Sequence, residues 1–167
     1  MTDTFNHSDP RTFWERLARL TGESTYRIPV EGRSTRSAHV PPAHQLAAAL
    51  SYARLNPADV GPDIAYDVAC RTTTYARRVG NAVAEAMCAD RNRAARRCRP
   101  WMRIIVWAAY LRVTKDEDYA RLRPAEVSQD DWVLLTEAAE RILLSLAEQA
   151  VSRAERAYWA RGERRVA

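Results

Sequence analysis

Between Pro124 and Gly162 the chain contains neither proline nor glycine, and apolar residues recur there at helical spacing: Leu135, Ala139, Ile142, Leu146, Ala150, Ala154 and Ala157. Steps of three and four residues keep such side chains on one face of an α-helix, whereas a strand would need strict alternation. Ser128-Gln-Asp-Asp131 supplies an N-cap with an acid three residues on, the capping-box pattern with Asp in place of Glu or Gln. The spacing predicts a helix from about 128 to 161, roughly 50 Å long at 1.5 Å per residue. A helix of that length must bury its stripe against other helices, and the late alanines admit a close neighbour, including a second copy of the chain. A homodimer through the 129–161 helix is therefore one expectation.

The rest of the chain carries the same period. Asp9-Pro10 opens a short helix to Leu20 with Phe13, Leu17 and Leu20 on one face. A second helix is expected from Pro42 to Leu55, with Leu46, Leu50 and Ala53 inward. After Gly61-Pro62, Asp63 is placed to cap a long third helix striped by Ile64, Val68, Thr72, Tyr75, Val79, Ala82, Val83 and Ala86. Pro100 starts a fourth, through about Val113, whose apolar residues surround nearly its whole circumference, the mark of a central helix. With only 5 glycines in 167 residues and few β-branched residues, helices are favoured over sheets. The expected architecture is all-α: a single-domain bundle of about five helices with a long C-terminal helix, covering residues 1–167. Residues 21–42, punctuated by Gly22, Pro29, Gly32, Pro41 and Pro42, read as a mobile connection, and 162–167 as a basic tail that frays.

Charge is distributed unevenly. Arg91, Arg93, Arg96, Arg97, Arg99 and Arg103 fall within thirteen residues that contain no acid, while the whole chain nets only +5, so the remainder is close to neutral. Of 26 basic residues only Lys115 is lysine, which a GC-rich genome explains, but codon usage does not explain the clustering. Continued past Ala86, the sector that buries the third helix would next hold Asp90, Arg93 and Arg97. An unpaired buried charge costs on the order of several kcal/mol. The helix must therefore break near Ala89 or project into solvent, and either way the arginines are presented rather than packed. With Arg77 and Arg78 nearby they can neutralise phosphates or pair carboxylates through planar forks, and Trp101 beside them can stack on a base or on an arginine. The bland alternative is a solvated patch neutralised by Glu85, Asp90 or the Asp116-Glu117-Asp118 turn.

Other chemistry finds little support. Cys70, Cys88 and Cys98 are odd in number and lack zinc-site spacing, so they read as neutral thiols in a reducing compartment. His7, His39 and His44 have no completing ligands, and no metal or cofactor is expected. No nucleophile elbow, phosphate loop, zincin or dinucleotide motif occurs, and the acids Asp116, Asp118, Asp130 and Asp131 lack spacing for Mg²⁺. A helix-turn-helix over Leu122–Leu144 is disfavoured, because Asp130 and Asp131 would stand where a recognition helix meets phosphate. Trp107 and Trp132 are expected in the core, and Trp159 at an oligomer contact. The N-terminus lacks signal-peptide features, and the apolar run Ile104–Leu111 is too short to span a bilayer, so a cytoplasmic protein without membrane contact is expected.

Arg99-Pro-Trp-Met-Arg103 with Trp107-Ala-Ala-Tyr110, and Asp131-Trp132 followed by Ala154-Glu-Arg-Ala-Tyr158, resemble uncharacterised small helical proteins of phages and prophages in GC-rich bacteria, over about half the chain. The resemblance implies a small regulator or host-directed factor and carries over no functional residue. The resulting expectation is a non-enzymatic regulator binding DNA or RNA, including at the transcription machinery, through Arg77, Arg78, Arg91, Arg93, Arg96, Arg97, Arg99, Trp101 and Arg103. The alternative is a protein-interaction module or phage-type inhibitor that docks on an acidic protein surface.

Overall fold

A computed structural model describes residues 43–90, 92–115 and 119–166, with side chains of the last helix described as far as Ala157. Among the described residues the chain forms six α-helices and no strand: α1 (Ala43–Ser51), α2 (Gly61–Cys70), α3 (Ala76–Ala89), α4 (Arg93–Arg97), α5 (Met102–Lys115) and α6 (Gln129–Val166). Single 3₁₀ turns at Arg99–Trp101 and Ala120–Leu122 lead into α5 and towards α6. The expected helix over 10–20, the connection over 21–42, and the side chain of Trp159 lie outside what is described.

The all-α bundle follows from the stripes. Helix α6 packs along both α2 and α5, α3 lies on α5, and α1 closes the end against α2 and α6. Leu46, Leu50 and Ala53 point inward as expected, although α1 ends at Ser51 rather than Leu55. Contact with two neighbours widens the buried sector of α6. Leu135, Ala139, Ala150 and Ala154 are buried together with Leu143, Ala147 and Val151, while Ile142 and Leu146 sit half-buried at its edge. Trp132 is in the core, and Ser128 Oγ accepts from the Asp131 amide at 3.1 Å, so this segment begins as a capped helix. The backbone stays helical to Val166, past the end expected near Arg161.

The long third helix expected from Asp63 to about Ala89 is instead two helices, α2 and α3, separated at Arg71–Tyr75. Two local causes combine. Thr72, Thr73 and Thr74 form a β-branched run that favours helix poorly. Asp67, wholly buried near the end of α2, takes the Thr72 hydroxyl at 2.6 Å and the amides of Thr74 and Tyr75 at 3.1 and 2.7 Å, donors that head α3. The chain reverses through Arg71 in the left-handed region (φ 52°), with the Thr72 amide reaching back to the Asp67 carbonyl at 2.9 Å, a Schellman-type close. Asp63 is not the cap of this helix. It lies inside the first turn, 3% exposed, and holds Arg54 at 2.5 Å and Arg78 at 3.1 Å.

Two further contacts tie the α1–α2 connection to α6. Arg153 donates to the Ala53 carbonyl at 2.8 Å and to Asp59 at 2.7 Å. Gly61 permits the approach, because a Cβ there would lie 3.0 Å from the Leu146 carbonyl oxygen.

Candidate functional site

Helix α3 ends at Ala89, so of the two outcomes the sequence allowed, a break near Ala89 or a projection into solvent, the chain takes the break, and Asp90 is extended (φ −64°, ψ 140°). The chain then returns to the core instead of leaving it. Asn92 caps α4 by accepting the Ala94 amide at 2.9 Å, and Ala94, Ala95 and Cys98 are buried. Alternation of small buried residues with arginines in this five-residue helix turns Arg93, Arg96 and Arg97 outward. Arg99 follows on the 3₁₀ turn and Arg103 on the first turn of α5, both exposed.

The nine residues singled out in the sequence divide by what their side chains meet. Arg97 holds Asp131 through one nitrogen, at 2.8 and 2.9 Å to its two oxygens, so its partner is the start of α6 rather than Glu85 or Asp90. Arg78 is engaged by Asp63 and by the Pro57 carbonyl. Trp101 is half-buried against the core. Among the described residues no carboxylate pairs with Arg77, Arg93, Arg96, Arg99 or Arg103, which are all exposed. Arg91 and the acidic turn Asp116–Asp118 lie outside the described residues.

Arg77 and Arg103 also face a shared feature. An open groove of about 420 Å³ runs between the start of α3 and the start of α5, lined on one side by Arg77, Gly80 and Asn81 and on the other by Arg103, Trp107 and Tyr110. Spacings of three and four residues put each set on one face of its helix. Trp107, expected in the core, is 39% exposed here, and Ile104 beside it is 41% exposed, so α5 is central on most of its circumference but not on all of it. The signal for this site was the i, i+4 pair Arg103 and Trp107. It was masked because an apolar residue on a nearly all-apolar helix gives no sign of which side faces water.

The floor of the groove is tied to the core through Tyr110. The Trp107 ring lies parallel to that of Tyr110 (12° between planes, centroids 6.2 Å apart), and the buried Tyr110 hydroxyl donates to Asp67. Burial first, and this hydrogen bond second, push the Tyr110 hydroxyl far above its ordinary pKa of 10.0, so it stays protonated as a donor. Asp67 thereby joins α2, the head of α3 and α5 at one carboxylate.

The described residues contain no cluster of three or more metal-ligating side chains. The cysteines are free, and burial raises the Cys98 and Cys70 thiols, which keeps them protonated and weakly nucleophilic. No described helix is long and apolar enough to cross a membrane. The chain matches no family model, and neither the curated proteins nor the solved structures contain a match to it.

Proposed function

We propose that this chain is a non-enzymatic regulator that binds nucleic acid through a surface made of Arg77, Arg93, Arg96, Arg99 and Arg103. The observation that carries the reading is the difference between these five arginines and Arg78 and Arg97. All are exposed, but only the latter two are held by described carboxylates. Guanidinium groups left unpaired on a surface match the phosphate oxygens of a polyanion. Five phosphate contacts predict a salt slope of about −4, hence an affinity loss of roughly a hundredfold or more between 50 and 200 mM salt.

The test is a fluorescence-anisotropy titration of nuclease-treated protein against labelled oligonucleotides at those two salt concentrations. Combined replacement of Arg93, Arg96 and Arg99 by Ala is expected to abolish binding while leaving the helical circular dichroism unchanged. Binding that is absent, or indifferent to salt, rejects the reading. An acidic protein surface would satisfy the same arginines, and a nuclease-resistant, stoichiometric protein partner would favour that alternative. Homodimerisation would bury Val133, Leu134 and Leu144, which are exposed on α6, and sedimentation analysis tests it.

A further inference from the structure

We infer that the groove between α3 and α5 is a base-binding subsite, which makes single-stranded nucleic acid, rather than duplex, the ligand of this protein; the inference rests on the nucleic-acid reading above. An unpaired base stacks on Trp107, and the phosphates flanking it are gripped by Arg77 from α3 and Arg103 from α5.

Four features of the groove converge on this ligand. Its lining contributes two cations and no acid, with Arg77 and Arg103 on opposite helices and Trp107 beside Arg103 on the same face. That order, cation and aromatic ring together, matches the alternation of phosphate and base along a strand. The Trp107 ring already lies parallel to that of Tyr110, which is held through Asp67, so ordering it under a base costs less side-chain freedom. Asn81 presents an amide able both to donate to and accept from a base edge. Finally, Gly80 stands inside α3 just past its first turn, where glycine is a poor helix former, and an added Cβ there would meet nothing within 4 Å. The space left by its missing side chain opens into the groove. A base inside a duplex has both faces covered by its neighbours, so only an unpaired base can use the ring of Trp107.

Gly80→Leu is the discriminating variant, because its Cβ enters open space at the groove wall and leucine improves helix propensity. Anisotropy titrations would compare a labelled single-stranded 12-mer with its duplex at low salt, for the wild type, Gly80→Leu, Trp107→Ala and Trp107→Phe, with Arg96→Ala as a variant outside the groove. Loss of one stacked base corresponds to about a fivefold to hundredfold weakening. The expected result is such a loss for the single strand with Gly80→Leu and Trp107→Ala, partial recovery with Trp107→Phe, and no change in duplex affinity. Arg96→Ala should weaken both ligands alike. Wild-type binding that Gly80→Leu leaves intact, or weakens equally for both ligands, overturns the subsite and leaves the nucleic-acid reading standing. If Gly80→Leu fails to fold by circular dichroism, the ratio between Trp107→Ala and Trp107→Phe decides by the same criteria. No binding of either ligand by the wild type removes the functional reading and the subsite together.

Discussion

Replacing Asp67 by Asn should cost this protein a large part of its stability, although the change removes one charge and almost no volume. The Asp67 carboxylate is wholly buried and accepts from four donors: the Thr72 hydroxyl and Thr74 amide on one oxygen, the Tyr75 amide and Tyr110 hydroxyl on the other. An asparagine keeps one acceptor oxygen. The hydroxyls can rotate to accept from the new NH₂ group, but a backbone amide cannot. Whichever way the amide points, either Thr74 or Tyr75 loses its acceptor, and a buried orphan donor costs about 1–3 kcal/mol. The bonds that survive become neutral ones, each weaker by about 1 kcal/mol. Relief from burying a charge returns part of this. The net expectation is a loss of about 3 kcal/mol, against a total of about 5–15 kcal/mol for a domain. Urea denaturation would measure it directly, and a melting curve should shift down by about 6–12 °C for a chain of this size. A double-mutant cycle with Tyr110→Phe should show coupling between the two sites, because each removes part of one network. An Asp67→Asn protein within about 1 kcal/mol of the wild type would refute the assignment of Asp67 as the ionised cap that breaks the helix here.

Tyr110 supplies a pH-dependent test. Its folded-state pKa is raised above the unfolded value of 10.0, so the unfolded chain loses this proton first. The hydroxyl's contribution is therefore complete below pH 10 and declines as pH rises above it, by about 1.4 kcal/mol per pH unit, a slope that Tyr110→Phe should reduce in alkaline denaturation curves. Arg71→Gly should stabilise the fold by about 1 kcal/mol in urea, because Arg71 is a non-glycine residue in the left-handed region and the bond its carbonyl accepts from Lys115 Nζ does not involve the Arg71 side chain. A destabilised Arg71→Gly protein would mean that the side chain matters at that turn. Arg97→Ala should change stability by less than about 1 kcal/mol, since the Arg97 side chain is more than half exposed, and should weaken oligonucleotide binding less than Arg96→Ala does. The reverse order of the two arginine variants would show Arg97 to be the binding residue.

The helical class of this protein was legible in its sequence because helical periodicity is a local property. Leu46 and Leu50, Ile64, Val79 and Val83, and Leu135 with Ala139 declare their faces by spacing alone, and all are buried. The choice at the end of α3 was partly local: three charges entering the Val79–Val83 sector left the helix either to break near Ala89 or to project into solvent, and it stops at Ala89. What stood beyond the sequence were facts that depend on a partner distant along the chain. Asp67 breaks the third stripe because Tyr110, 43 residues away, completes its shell of donors. Arg97 is neutralised by Asp131, 34 residues away, whereas Arg96 one step before it has no described acid. Trp107 faces a groove because the wall opposite it, on α3, is made of Arg77, Gly80 and Asn81. Spacing along one helix determines which residues share a face. Only the packing of helices against one another decides which face meets protein, which meets water, and which arginines are left for a ligand.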